Sequence, residues 1–473
     1  MADSRLAVSG GKPTVDAARH VRWPVLTAAD KAAVMGVLER GVLSGPFAPE
    51  VRGLEREFAT YIGTKFGLAT NSGTAALHVA VVAAGVGPGD EVITPAFSFV
   101  ATAMAILHHN AIPVFVDIEQ ETFGLDPSKI EAAITPRTKA IMPVHIHGMP
   151  CRIEAIAAIA KKHRLVLIED AAQAHGASYN GRRVGTFGAI AGFSLQSSKN
   201  LASGEGGLTV TDDEQLYLKA SRARMFGEDV TLEDEKSYRL DRPLDGNRAY
   251  DSKDIGWMYR TNEMSAALAR SQLSRLEAMN EQARRNAAAL SAQLHKLPGV
   301  TPPVVPIGCV PVWHKYRVKL DASKAGLQAS ADASPKRVRD AVLRALQAEG
   351  VDAVLWQTQP VPGQTLFRKK IGFGVQAGAS TEEAGSAGRR AEAEGRSIRL
   401  GAPWDRAGPV NYDLSQYPET QRLLDSSLCL FSHTFPIAPQ PLELVEQYAA
   451  AFARVWSRLD EVLAVKEGAG ASA

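Results

Sequence analysis

Cysteine is scarce. Only Cys151, Cys309 and Cys429 occur in 473 residues. They are far apart, so neither a disulfide framework nor a cysteine-ligated metal is expected, and a reducing, cytoplasmic setting is. Net charge is nearly absent too, formally +2 at pH 7 with no basic block, which removes the electrostatic case for nucleic acid or an anionic membrane surface. No apolar run is long enough to span a bilayer, and Met1-Ala-Asp-Ser-Arg5 lacks the apolar core of a secretory signal. No internal repeat is visible. What is present, 45% apolar and 22% charged residues, is the composition of a soluble globular protein with room for one large domain and a smaller one.

Periodicity organises the rest. Thr27 is a candidate N-cap for a helix over 28–40 that Gly41 stops, and a second amphipathic helix is expected over 49–62. From residue 66 onward, short apolar runs (66–70, 91–94, 113–116, 139–144, 165–168) alternate with helical patterns (74–84, 99–108, 129–133, 153–163). Two further strands follow at 188–193 and 208–211. Buried strands separated by helices predict crossover units and a mainly parallel sheet covered on both faces, with ligands outside the strand ends. Gly85-Val-Gly-Pro-Gly-Asp90 follows a helix and precedes a strand, the reverse of a dinucleotide fingerprint, and reads as a helix stop and turn. A leucine-lined helix over 263–297 leads to a second unit with a strand at 316–320 and helices at 335–349 and 443–462. The fold class expected is therefore α/β: an N-terminal arm (1–25), a large domain on a mainly parallel central sheet (26–280), and a smaller C-terminal α+β domain (281–473). Residues 228–256 read as a charged surface loop, and 372–409, rich in Gly, Ala, Ser, Glu and Arg, as a mobile insertion.

Three segments converge on one edge of that expected sheet. Asn71-Ser-Gly-Thr-Ala-Ala-Leu77 joins a strand end, a glycine and a helix start, where free N–H groups suit a phosphate; it is equally compatible with an ordinary helix cap. Ile168-Glu-Asp170-Ala-Ala-Gln173 puts a carboxylate at a buried strand end, where aspartate also serves as a cap. Phe193-Ser-Leu-Gln-Ser-Ser-Lys199-Asn200 sets one lysine on a loop of small residues between two buried strands. Desolvation would lower its pKa and fit it for imine chemistry with an aldehyde, although a lysine on a loop is ordinarily exposed. Together, a phosphate cradle, a carboxylate for a ring nitrogen and an amine for an aldehyde are the three handles of pyridoxal 5′-phosphate (PLP).

Asn71-Ser-Gly-Thr-Ala-Ala-Leu-His78, Glu169-Asp-Ala-Ala-Gln173, Phe193–Asn200 with Gly204-Glu-Gly-Gly207, and Gly256-Trp-Met-Tyr-Arg-Thr-Asn-Glu-Met-Ser-Ala-Ala267 resemble the DegT/StrS family of fold-type-I, PLP-dependent aminotransferases, over roughly residues 6–320. The resemblance implies that Lys199 carries the cofactor and acts as general base, that Asp170 pairs with the pyridinium nitrogen and that Gln173 meets the ring hydroxyl. It implies that Ser72, Gly73, Thr74 and Ser194 hold the phosphate and that Phe99 stacks on the ring. It further implies a homodimer with shared active sites, with Arg260 reaching into the partner's site. Gln196, Tyr259, His314 and His433 are expected on the substrate side. Lysine rather than histidine at position 199 argues for transamination over the family's dehydration chemistry. Gln196, Gly204–Gly207 and Trp257–Arg260 are closer to the branch that aminates cyclitol ketones and antibiotic precursors, commonly from L-glutamine. A nucleotide-linked keto-sugar aminotransferase using L-glutamate is the alternative, and a non-catalytic PLP-binding sensor a remote one. No metal is expected: His145 and His147 alternate on a strand end without a third ligand, which favours a structural role.

Overall fold

Thr27 and Asp30 cap each other reciprocally at the start of α1 (Ala28–Arg40), and Gly41, at φ 74°, ends it. This is a capping box followed by a left-handed stop, as the residue types dictate. Pro49 at the first turn and Gly63 beyond the last bound α2 (Pro49–Ile62) in the same manner. The computed structural model describes residues 5–45, 48–229, 251–325, 334–372, 403–408 and 410–465.

The large sheet is built from β1 (Phe66–Thr70), β2 (Glu91–Pro95), β3 (Ile112–Val116), β4 (Thr138–Ile141), β5 (Val166–Asp170), β8 (Ile190–Ser194) and β9 (Gly207–Thr211). The two-residue strands β6 (Ser178–Tyr179) and β7 (Arg182–Arg183) form a separate hairpin between β5 and β8. Its order is β1-β9-β8-β5-β4-β2-β3. Pairs among β8, β5, β4, β2 and β3 are parallel, and β9 runs antiparallel to both β1 and β8. Helices α3 (Gly73–Ala83), α4 (Ala101–Leu107), α5 (Pro127–Ile130), α6 (Ile153–His163) and α7 (Glu214–Arg224) make the crossovers and cover the faces. Register decides where the site lies. Thr70 pairs with Gly207, Gly207 with Ser194, and Asp170 with Gly192, so the ends of β1, β8 and β5 emerge side by side.

The smaller C-terminal α+β region has its own antiparallel sheet, ordered Val300–Thr301, Tyr316–Leu320, Ser427–Leu430, Ala353–Val354. Ala283, Ala287, Leu290 and Leu294 of the helix Leu276–Leu294 pack in that region's core with Tyr316, Leu346, Leu428 and Phe452.

Three expectations are revised. The single helix over 263–297 is two, Glu263–Leu273 and Leu276–Leu294. Arg275 at the break leaves helical geometry, and its guanidinium bonds Asp30 (2.7 Å) and the Val25 carbonyl (2.8 Å). The helix over 443–462 is likewise two, Leu442–Trp456 and Leu459–Ala464. The N-terminal arm is packed onto the small region: Leu6 and Val15 are buried, and the Glu349 carboxylate accepts from the backbone of Ala7 (2.8 Å) and Thr14 (3.0 Å). The far flank of the insertion is packed, with Trp404 buried and its indole donating to the Ile371 carbonyl at 2.9 Å. The rest of the expected insertion, 373–402 with 409, lies outside the described residues, as does 230–250 of the charged loop. Among the described residues no helix is long and apolar enough to cross a membrane.

Candidate active site

β1 delivers the chain to α3 through Asn71 and Ser72. The Ser72 hydroxyl caps the helix by accepting from Ala75 N–H at 3.1 Å, so its side chain serves the helix. The N–H groups of Gly73 and Thr74, which no helical carbonyl can reach, remain for an anion. Position 73 must be glycine here: a Cβ would lie 2.5 Å from the Ser194 Cβ at the end of β8. That close approach brings the Ser194 hydroxyl to the same opening.

Asp170 ends β5. Its carboxylate is 4% exposed and accepts from Thr102 Oγ1 at 2.7 Å and Ala172 N–H at 3.1 Å. Burial pushes its pKa up, while those two bonds and the Lys199 ammonium pull it back. Thr102, three residues beyond Phe99, is itself 2.7 Å from Ser98 Oγ. Lys199 faces Asp170 from the β8–β9 loop. Burial lowers its pKa to about 8, with Asp170 opposing and a second amine, Lys315, reinforcing the drop. The loop is tied in place by the Trp23 indole, which donates to the Lys199 carbonyl at 3.1 Å, and by Gln196.

These groups surround one cavity of about 390 Å³. Of the residues expected from sequence, Ser72, Gly73, Thr74, Phe99, Asp170, Gln173, Ser194, Gln196, Lys199, His314 and His433 all line it. Phe99, one of the lining residues, is 53% exposed. Gln173 Oε1 accepts from His147 N–H at 2.8 Å, which turns its amide NH₂ to the cavity. Gln196 is bonded locally: its Oε1 takes Ser198 N–H (2.8 Å) and Ser198 Oγ (2.6 Å), and its Nε2 donates to Ser197 Oγ (3.0 Å). It shapes the lysine loop, and one N–H of its Nε2 is left for a ligand in the cavity. His314 is held well below the usual histidine pKa by burial and by Lys199 and Lys315, so it is a neutral imidazole. Thr102, Lys315 and Trp356 also line the cavity and are not among the residues expected from sequence. His145 is taken by Glu169 (3.0 Å) and by Cys151 N–H (3.2 Å), and His147 by Arg317 (3.1 Å).

Two expected residues lie elsewhere. Arg260 lines a neighbouring depression with Asn71, Glu205, Met258 and Asn262. Tyr259 is turned away from the cavity: its hydroxyl bonds His78 Nδ1 at 3.0 Å. His78 is buried, with Trp257, His109 and His108 rings at 4.5, 5.5 and 5.6 Å. Burial, then the charges of His109 and His108, lowers its pKa to about 3. An unfolded histidine titrates near ~6.5, so the unfolded chain binds a proton that the folded one refuses. That contribution to stability is complete above about pH 6.5 and is lost as pH falls towards the folded value. At pH 5 it costs about 2 kcal/mol. The urea midpoint should therefore fall between about pH 7.5 and 5, and His78→Gln should flatten the fall; equal falls in both proteins would refute this.

The donor set fits a phosphorylated pyridine aldehyde. The lining supplies an anion nest with a hydroxyl, an amine whose pKa burial lowers to about 8, a desolvated carboxylate and an aromatic ring. Helix-start nest, strand-end carboxylate and loop lysine on this sheet define the class: a fold-type-I PLP transferase. Residues 24–387 match the DegT/DnrJ/EryC1/StrS aminotransferase family, and the chain belongs to it. It is 39% identical over 307 residues to the spore coat polysaccharide biosynthesis protein SpsC of Bacillus subtilis (strain 168), covering 65% of this chain and 77% of that one. It is 41% identical over 310 residues to the L-glutamine:2-deoxy-scyllo-inosose aminotransferase of Micromonospora echinospora, covering 63% and 70%. The crystal structure of 3-amino-5-hydroxybenzoic acid synthase superposes with a TM-score of 0.71 at 30% identity, over 92% of this chain and 99% of that one.

Proposed function

We propose that the protein is a PLP-dependent aminotransferase that moves an amino group from L-glutamine or L-glutamate to the ketone or aldehyde of a cyclitol or related precursor in specialised metabolism. The observation that carries this reading is the meeting of Lys199, Asp170 and the α3 N-terminus around one cavity. When bound, PLP supplies an aldehyde carbon that can carry an amino group and an electron-withdrawing ring. The chain supplies the rest. The N–H groups of Gly73 and Thr74 with the Ser194 hydroxyl would hold the phosphate, Phe99 would cover the ring, and Gln173 would donate to its hydroxyl. Asp170, fixed by Thr102, would keep the ring nitrogen protonated. Lys199, with a pKa of about 8, can release and regain a proton near neutral pH, as general acid–base work requires.

The 41%-identical relative named for L-glutamine and an inosose supports a cyclitol ketone and a glutamine donor. A cavity of about 390 Å³, near the lower end of small-molecule sites, suits the cofactor with a compact acceptor. In a homodimer, Arg260 would be presented to the second subunit's site.

The test is direct. Protein reconstituted with PLP and treated with borohydride should carry a stable adduct mapping by mass spectrometry to Lys199. L-Glutamine should bleach its visible absorption faster than L-glutamate does. No adduct at Lys199 would overturn the function; preference for L-glutamate would overturn the donor.

A further inference from the structure

The cavity holds a second lysine that the chemistry above does not use. Lys315 is the residue just before the strand Tyr316–Leu320 of the small sheet. Its side chain is 3% exposed, its Nζ has no hydrogen-bond partner among the described residues, and it lines the same cavity as Lys199, on a wall shared with His314, Trp356 and His433. A buried ammonium is ordinarily paired, because taking the charge out of water is unfavourable without compensation.

The neighbouring groups do not compensate it. Asp170 is bonded to Thr102 and Ala172 and faces Lys199. The Asp352 carboxylate favours the charged form of Lys315 from a distance but accepts from Ser432 N–H at 2.6 Å, and among the described residues no ion pair within 4.0 Å joins it to Lys315. Burial brings Lys315 down to about 8, which leaves it mostly charged at neutral pH. Arg317, two residues on, does not line the cavity and has all three of its nitrogens bonded: it donates to His147 Nε2 (3.1 Å), Ser427 Oγ (2.7 Å) and the Trp356 carbonyl (2.6 Å). His314 is neutral. Among the described residues of this wall, then, Lys315 is the cation with unused donors, and it lines the space that a substrate must enter.

We propose that Lys315 is a specificity-determining residue that pairs with a carboxylate of the amino donor, fixing the donor at the far side of the cavity from the phosphate nest. This rests on the aminotransferase reading, since it is the amino-acid partner of that reaction that necessarily brings a carboxylate. The ammonium then has the anion that the fold withholds, and an amine of the same length without a carboxylate is discriminated against.

The experiment uses the PLP-loaded protein and the variants Lys315→Met and Lys315→Arg. Methionine keeps the side-chain length and removes a buried unpaired charge, so folding is preserved. Removing a hydrogen bond to a charged group predicts a loss of roughly ten- to a hundredfold. KM for L-glutamine should rise by that factor in Lys315→Met while kcat with saturating donor changes by less than about threefold. Lys315→Arg should recover part of the loss. A second readout does not depend on turnover: glutarate, which has carboxylates and no amine, should bind wild type by calorimetry and lose affinity by the same factor in Lys315→Met. With 4-aminobutanamide, which lacks a carboxylate, wild type and Lys315→Met should behave alike. Unchanged glutarate affinity and unchanged KM for L-glutamine, with the borohydride adduct still at Lys199, would overturn the role of Lys315 and leave the aminotransferase reading intact. Loss of the adduct itself would overturn that reading instead.

Discussion

Lys199→Ala should lose at least about 10²–10⁴-fold in turnover, the range that a positioned proton-transfer group contributes, and should lose the visible absorption of the cofactor-loaded protein as well. The protein should remain folded. Lys199 is largely enclosed, and its pKa is depressed to about 8 chiefly by burial, so the folded state disfavours its charge. A lysine whose folded pKa lies below its unfolded value penalises folding once the unfolded amine is protonated, below about pH 10. Replacing it with alanine removes that penalty. Chemical denaturation at neutral pH should therefore place the variant's midpoint at or above that of wild-type protein lacking cofactor, which separates a lost amine from a lost fold. Turnover within tenfold of wild type would sink the assignment of Lys199, and a collapsed midpoint would show that the residue serves the structure instead.

Much of this site is legible in the chain because a parallel sheet collects its strand ends on one edge. Ser72 to Thr74, Asp170 and Lys199 are distant in sequence, yet each ends a buried strand or lies on the loop that leaves one, and the register of Thr70, Gly207 and Ser194 does the rest. Helix limits were equally readable where caps are strong, as at Thr27 with Gly41 and Pro49 with Gly63. Thr102 was within reach of the same logic: it stands three residues after Phe99, on one side of the α4 start. Other features were hidden for physical reasons. The break at Ser274 and Arg275 has no glycine or proline to announce it; it is made by an ion pair to Asp30, more than 200 residues away. Lys315 and Trp356 reach the cavity only because the small sheet docks against the large domain, and Trp313-His-Lys-Tyr316 on its own reads as a strand entry. Gln196 lines the cavity as the sequence suggests, but the competition of its amide for Ser197 and Ser198 is visible only once the loop is folded.

Glu55→Ala should destabilise the protein by about 3–5 kcal/mol, the usual cost of removing one partner from a buried charge pair. Glu55 sits on α2 at 2% exposure and receives three bonds: from Arg52 (2.6 Å), from Arg224 of α7 (2.6 Å) and from the backbone N–H of Ala69 on β1 (2.9 Å). Arg224 also donates to the Ala69 carbonyl at 2.9 Å. One carboxylate thus locks two helices to the last residues of β1, immediately before the Ser72–Thr74 nest. Taking it away leaves two buried guanidiniums facing each other and one strand amide without its acceptor, so the loss exceeds that of a single hydrogen bond. The urea midpoint measures the effect, and the companion substitution Arg224→Met in the Glu55→Ala background should restore part of it by removing one of the stranded charges. Phosphate binding should weaken alongside, because the strand that presents Gly73 and Thr74 is no longer pinned; cofactor titration followed by absorbance reads this separately from stability. A loss below about 1 kcal/mol, the scale of an exposed pair, would mean that water reaches the cluster and that β1 is held by its ladder with β9 alone.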